Sequence, residues 1–207
     1  MDIIYFLDLL GTFVFAISGT LSAANKKLDL FGAMFAASIT AFGGGTIRDS
    51  VLGATPTFWV TDMWYLIVIT IAVLLTFCFK EYIMGLKKTL FLFDTIGIGV
   101  FTILGLEKTI ALGFNPVIGI MMGVVSAVFG GVLRDTFVND LPIIFRKEIY
   151  ATACIVGALM YLLLSYFSVA RNTNMIITIL LIIAIRLIAI KLELRLPTIT
   201  ASKEIKE

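Results

Sequence analysis

The chain has 207 residues, of which 60% are hydrophobic and 14% charged, and its formal net charge is +2. A water-soluble domain has charges on roughly a quarter of its residues, so this composition predicts that lipid covers much of the surface. The sequence contains no histidine, which removes the commonest transition-metal ligand and the commonest general base at neutral pH. We therefore expect no metal centre and no catalysis. We also expect no nucleic-acid partner, because the sequence has no basic stripe with interleaved aromatic residues.

Seven apolar segments follow one another along the chain, and each approaches the ~20 residues that a helix needs to cross the hydrocarbon core. They lie at residues 3–24, 30–47, 63–79, 90–106, 116–133, 149–167 and 173–190. Strands are excluded because isolated strands in lipid leave backbone groups unpaired, and no barrel-type alternation runs through these segments. The predicted fold class is an all-α membrane protein with seven transmembrane helices.

Lysine and arginine are distributed unequally between the two sides that these segments define. Three lie on one side (Arg48, Lys108 and Arg171), and Arg186 lies within the last segment. Twelve lie on the other side: Lys26, Lys27, Lys80, Lys87, Lys88, Arg134, Arg146, Lys147, Lys191, Arg195, Lys203 and Lys206. The positive-inside rule places the lysine-rich side in the cytoplasm. The N-terminus is therefore predicted to be external, and the C-terminal tail cytoplasmic.

An internal repeat appears when the chain is shifted by 86 residues, because the two halves then match without a gap. Glycines, an Arg-Asp pair and a proline recur in register: Gly44, Gly45, Arg48, Asp49 and Pro56 meet Gly130, Gly131, Arg134, Asp135 and Pro142. Each repeat contains three spans, an odd number, so the second copy is expected to be inverted. The predicted organisation is a first repeat (1–84), an inverted second repeat (87–170), a seventh helix (171–192) and a tail (193–207).

Consecutive glycines end the second and fifth segments. The sequences are Phe-Gly-Gly-Gly-Thr-Ile-Arg-Asp at 42–49 and Phe-Gly-Gly-Val-Leu-Arg-Asp at 129–135. Each glycine costs a helix roughly 1 kcal/mol relative to alanine, so a kink or an unwound stretch is expected. Unwound backbone at membrane depth is tolerated only where it is buried in protein or lines a water-filled cavity. In the alternative interpretation, the glycines allow close packing of helices. The candidate pore-lining residues are Gly43, Gly44, Gly45, Thr46, Gly130, Gly131, Ser38, Thr40 and Ser126.

Charged residues next to the glycines are candidates for a gate. Arg48 with Asp49, and Arg134 with Asp135, follow their glycines by one helical turn. Asp8 and Asp94 begin two small, polar helix faces that recur in register, and we interpret them as carboxylates at the pore mouths that attract cations. In the alternative interpretation, each arginine snorkels to the interface or pairs with a neighbouring helix.

The two glycine motifs, together with the 3+3+1 pattern of spans, resemble the prokaryotic branch of the trimeric intracellular cation (TRIC) channels, also described as a glycine-transporter family. This resemblance implies a homotrimer in a prokaryotic plasma membrane. It also implies a potassium-permeable pore in each protomer, lined by the kinked second and fifth helices. The second motif departs from a glycine triplet, with Phe129 opposite Gly43, so equal roles for the two kinks are not implied.

Three functions remain open at this point. The first is a passive channel for monovalent cations, with potassium as the permeant ion and no bound cofactor. The second is an alternating-access transporter of a small solute such as glycine, because inverted repeats with broken helices are also a transporter architecture. The third is a structural or assembly protein. The lipid bilayer is the expected partner, and no obligatory protein partner is evident.

Overall fold

The computed structural model describes residues 2–79, 89–146 and 149–194, and within these ranges the chain is helical without strands. The described residues form eight α-helices and one 3-10 turn. Their bounds are α1 Ile3–Asn25, α2 Leu30–Val51, α3 Phe58–Thr61, α4 Trp64–Cys78, α5 Thr89–Ala111, α6 Pro116–Phe137, the 3-10 turn Ile143–Phe145, α7 Ala151–Tyr166 and α8 Arg171–Lys191. The all-α prediction is confirmed for these residues. The boundary predicted between the repeats and most of the predicted tail lie outside them.

Five helices are long and apolar enough to cross a membrane, namely α1, α2, α5, α6 and α8. Two others, α4 and α7, are apolar but have only 15 and 16 residues. At 1.5 Å per residue they are about 23 Å long, less than the ~30 Å of the hydrocarbon core. The described residues therefore contain five clear spans, and the count of seven stays a prediction.

Side-chain caps explain where several helices begin. Asp2 and Asp29 precede α1 and α2, and their carboxylates accept hydrogen bonds from the backbone N–H groups of Ile4 and Gly32. Asn115 caps α6 in the same way, and Pro116 occupies the first position of that helix. Such caps satisfy N–H groups that have no partner within the helix.

The long helices from the two halves pack together in the centre of the molecule. The most extensive contacts join α5 to α6, α2 to α6, α1 to α2, and α1 to α5. Helix α4 packs outside this group against α1 and α2, while α7 and α8 pack against each other and against α5. The site described below therefore lies among α1, α2, α5 and α6, where side chains are buried inside the protein.

Two aromatic rings show how closely α1 and α5 approach. A Cβ on Gly97 would lie 2.1 Å from the Phe15 ring, and a Cβ on Gly11 would lie 3.1 Å from the Phe101 ring. The centroids of these two rings are 5.1 Å apart. The contacts are reciprocal, because each ring lies against a glycine of the other half at positions 86 residues apart.

Two ion pairs join segments that the charge distribution assigns to the same side. Lys26 Nζ lies 2.7 Å from an oxygen of Asp140, and Arg171 pairs with Glu107. The first pair joins two connections on the lysine-rich side, and the second joins α5 to α8 on the opposite side. The side that faces the cytoplasm stays a prediction.

Candidate functional site

The glycine motifs lie within unbroken helices. Residues 42–49 and 129–135 are α-helical throughout, so the expected unwinding is wrong, whereas a kink stays a prediction. A Cβ on Gly44 would lie 2.1 Å from the carbonyl oxygen of Ser126, and a Cβ on Gly130 would lie 2.1 Å from that of Thr40. These glycines let the backbones of α2 and α6 touch, which is the close packing that small residues allow in membranes.

The other glycines of the motifs meet different neighbours. A Cβ on Gly43 would lie 2.6 Å from Leu133, and a Cβ on Gly45 would lie 2.6 Å from the ring of Phe58. Gly131 differs because polar atoms surround it. Its Cβ would lie 3.2 Å from the Tyr150 hydroxyl, 3.4 Å from a carboxylate oxygen of Asp94 and 3.6 Å from Nη2 of Arg134. Gly131 is thus the motif glycine that borders a charged cluster.

Three of the four hydroxyls predicted to line a pore have hydrogen bonds elsewhere. Ser38 and Thr40 donate to the carbonyl groups of Met34 and Ala36, one turn earlier in α2. The hydroxyl of Thr46 accepts a hydrogen bond of 3.0 Å from Nε1 of Trp59. The bonds of Ser38 and Thr40 are of the local kind that serine and threonine side chains commonly make in helices. The fourth, Ser126, takes part in a charged cluster.

The Thr46 contact predicts a measurable effect on stability. Thr46→Val removes the partner of the Trp59 indole N–H, so we expect a loss of about 1 kcal/mol in the free energy of unfolding. The measurement is thermal unfolding in detergent. Ser38→Ala is the matched control, since Ser38 only bonds to its own helix and its loss is expected to be smaller. Equal losses in the two variants would contradict this assignment.

The first charged cluster, the Arg48 cluster, consists of Arg48, Asp49, Lys108 and Ser126. Arg48 contacts one oxygen of Asp49 through Nε at 2.8 Å and through Nη2 at 2.7 Å. Lys108 Nζ lies 2.8 Å from the other oxygen, and Arg48 Nη1 donates to Ser126 at 3.2 Å. Asp49 is fully buried and Arg48 is 5% exposed. Two cations from different helices therefore share one buried carboxylate.

The second cluster, the Arg134 cluster, consists of Arg134, Asp135, Asp94 and Ser18. Arg134 donates through Nε to Asp135 at 2.7 Å, and through Nη1 to Asp94 at 2.9 Å and to Ser18 at 2.6 Å. The second oxygen of Asp135 accepts the backbone N–H of Ile143 at 3.1 Å. Arg134 and Asp94 are both fully buried. This cluster contains one cation and two carboxylates.

The two clusters share one arrangement and differ in one partner. Each arginine pairs with the aspartate that follows it and donates to a serine of the other half. Asp94 pairs with Arg134, whereas the equivalent Asp8 accepts a hydrogen bond of 2.8 Å from the Tyr65 hydroxyl. The structure thus places Asp94 in a charged cluster and Asp8 beside a tyrosine. Neither observation tests the proposed attraction of cations.

Sequence reasoning missed several members of this site. No sequence pattern predicted Lys108 and Ser18 as partners of the Arg-Asp pairs. Tyr65 and Tyr150 stand at the beginning of α4 and at the cap of α7, 85 positions apart. A gap-free shift of 86 pairs Tyr65 with Ala151 instead, and an alignment allowing one gap would have matched the two tyrosines.

Comparison with known proteins gives the same 86-residue spacing between the two halves. The family model described as Glycine transporter matches residues 5–81 and again residues 91–166. The two matches begin 86 residues apart (91 − 5 = 86), which is the shift found within the sequence. The UPF0126 inner membrane protein YadS of Escherichia coli is 40% identical over 95% of this chain and 96% of its own. A UPF0126 membrane protein of Vibrio cholerae is 40% identical over 98% of this chain and 85% of its own.

Solved structures give the fold independently. A TRIC trimeric intracellular cation channel orthologue from Rhodobacter sphaeroides has a TM-score of 0.89 at 34% identity, covering 94% of this chain and 100% of that one. Another TRIC cation channel has a TM-score of 0.86 at 32% identity, covering 97% of this chain and 99% of that one. The resemblance found in the motifs is confirmed. The chain belongs to the glycine transporter family, also called UPF0126, and has the fold of the TRIC channels.

Proposed function

We propose that the protein is a channel for monovalent cations, permeable to potassium, with one ion path in each protomer of a homotrimer. The observation that carries this proposal is the pair of buried Arg-Asp clusters at the two ends of the α2–α6 contact. Ionised groups within membrane-spanning helices are costly and mark ion paths or relays. The solved structures that the chain matches at 34% and 32% identity are cation channels, which supports this function.

The path proposed here runs beside α2 and α6 between the two clusters. The Arg48 cluster is net positive, because Arg48 and Lys108 share Asp49, and it repels a cation while those pairs hold. In the Arg134 cluster the guanidinium occupies oxygens of Asp94 and Asp135. An ion passes when the pairs in both clusters rearrange and expose carboxylate oxygens. Oxygen atoms are the ligands that replace the hydration shell of an alkali cation in a channel. Asp49 and Asp135 are accordingly the residues that a passing cation would meet.

The topology is part of the same proposal. We propose seven spans, with α4 and α7 as the two shorter ones, and an external N-terminus with a cytoplasmic tail. The two halves would be inverted repeats. The reciprocal contacts of Gly44 with Ser126 and of Gly130 with Thr40 support this. The two glycines are 86 residues apart, and so are Thr40 and Ser126.

Planar bilayers test the proposed channel directly. We expect purified protein to give discrete unitary potassium currents in symmetric potassium chloride. A silent bilayer, combined with saturable exchange of glycine in proteoliposomes, would establish the carrier instead. The description of the family model as Glycine transporter is the observation that keeps this second function open.

Lys108 offers a variant with a predicted direction. Lys108→Met removes a cation from the Arg48 cluster, and a unit charge about 4 Å away contributes ~1 kcal/mol in water-like surroundings. We therefore expect the unitary potassium current to rise by up to about fivefold, because the barrier to a cation falls. Arg171→Met is the matched control, since Arg171 is exposed and pairs with Glu107 rather than with a carboxylate of the cluster. The same rise in both variants would place the ion path elsewhere.

A further inference from the structure

Arg186 lies in the last helix and is fully buried. Helix α8 is outside the 86-residue repeat, so the repeat supplies no counterpart of this arginine. An arginine buried at membrane depth is costly and needs compensating contacts. Its contacts therefore indicate what the last helix does for the rest of the molecule.

Two contacts of Arg186 reach the beginning of α7. Nη1 donates a hydrogen bond of 2.6 Å to the carbonyl oxygen of Ile149. The guanidinium carbon lies 4.8 Å from the centroid of the Tyr150 ring, which is within the range of a cation–π interaction. Tyr150 is the cap residue of α7. Arg186 therefore fixes both the backbone and the ring at the point where α7 begins.

The other end of Tyr150 lies at the Arg134 cluster. Its hydroxyl, Asp94 Oδ1 and Arg134 Nη2 all lie within 3.6 Å of the position that a Cβ on Gly131 would occupy. The Tyr150 side chain is 2% exposed, and its hydroxyl has no hydrogen-bond partner among the described residues. The hydroxyl is therefore held in the cluster by the placement of its ring rather than by a bond of its own.

We propose that Arg186 is a positioning residue, which holds the Tyr150 ring so that its hydroxyl stays in the Arg134 cluster. The last helix thereby acts on one end of the ion path. The effect on ion flow rests on the proposed channel function, whereas the placement of the ring does not. A simpler role for Arg186, anchoring α8 to α7, would leave the surroundings of the hydroxyl unchanged.

The placement is tested with 3-fluorotyrosine in place of Tyr150, observed by ¹⁹F NMR in detergent. We expect the resonance to move or to split in Arg186→Met, and to move less in Arg186→Lys, which keeps a positive charge. Arg171→Met, in the same helix, is the matched control and should leave the resonance in place. An unmoved resonance in Arg186→Met and Arg186→Lys would overturn the proposal. If Arg186→Met does not fold, Arg186→Lys alone decides between these results.

The consequence for conduction is tested by combining changes at both positions. Tyr150→Phe keeps the ring over which Arg186 lies and removes only the hydroxyl. A buried cation–π contact supports an effect of about tenfold on the ratio of open to closed channels in Arg186→Met. In the Tyr150→Phe background this effect should be lost. Persistence of the full effect there would show that Arg186 does not act through the hydroxyl. A shifted resonance without any potassium current would refute the channel and leave the placement standing.

Discussion

Replacing Arg134 with methionine is expected to lower the free energy of unfolding by about 3–5 kcal/mol, because it leaves two buried carboxylates without their cation. Asp94 is fully buried and pairs with Arg134 at 2.9 Å, and Asp135 pairs with it at 2.7 Å. Unfolding of the purified protein in detergent, followed by circular dichroism during heating or on addition of denaturant, measures the loss.

Arg48→Met is the matched control for this prediction. Asp49 keeps a second cation, Lys108, at 2.8 Å, so the loss should be clearly smaller than that of Arg134→Met. Adding Asp94→Asn to Arg134→Met should recover part of the stability, because one uncompensated charge is removed. Similar losses in the two arginine variants would contradict the compensation of Asp49 by Lys108.

The second large effect is expected at the contact between α2 and α6. Gly44→Ala and Gly130→Ala each place a methyl group where a backbone carbonyl oxygen lies 2.1 Å from the Cβ position. A backbone oxygen cannot turn aside as a side chain can, so the helices must separate. We expect each variant to lose about 1–3 kcal/mol, the usual cost of overpacking, in the same unfolding measurement.

Gly119→Ala is the matched control within α6, because its nearest neighbour is a side-chain atom at 3.3 Å that can shift. The double variant Gly44→Ala with Gly130→Ala should lose less than the sum of the two single losses. Once one methyl group has separated the helices, the second meets less resistance, and neighbouring sites commonly deviate from additivity in this way. A strictly additive loss would mean that the two contacts are independent.

The sequence was sufficient to predict the helices and the two Arg-Asp pairs because their signals are local. Apolar length predicts a helix, and the cost of a buried charge draws attention to Arg48 and Arg134. The repeat also predicted which glycines are related. Helices α2 and α6 are closely packed at Gly44 and Gly130, which was the alternative interpretation of these glycines, and no larger residue fits there.

The hydrogen-bond partners of the polar side chains could not be predicted, because they depend on distances between atoms that no local pattern contains. Whether Ser38 bonds to its own helix or faces a path depends on a side-chain rotation. Whether Asp94 meets an arginine while Asp8 meets a tyrosine depends on how the helices cross. The predicted segments 63–79 and 149–167 exceed α4 and α7 by one or two residues at each end, because apolar residues flank both helices.

The rings of Phe15 and Phe101 each pack against a glycine of the opposite half. These contacts make the residues allowed in one half depend on those in the other. A larger residue at position 97 is tolerable only if position 15 becomes smaller, and one at position 11 requires a shift of Val100 and of the Phe101 ring. Drift in one half is thus constrained by the other, although the two segments are far apart along the chain. A substitution at one of these positions in one half therefore requires a matching adjustment in the other half.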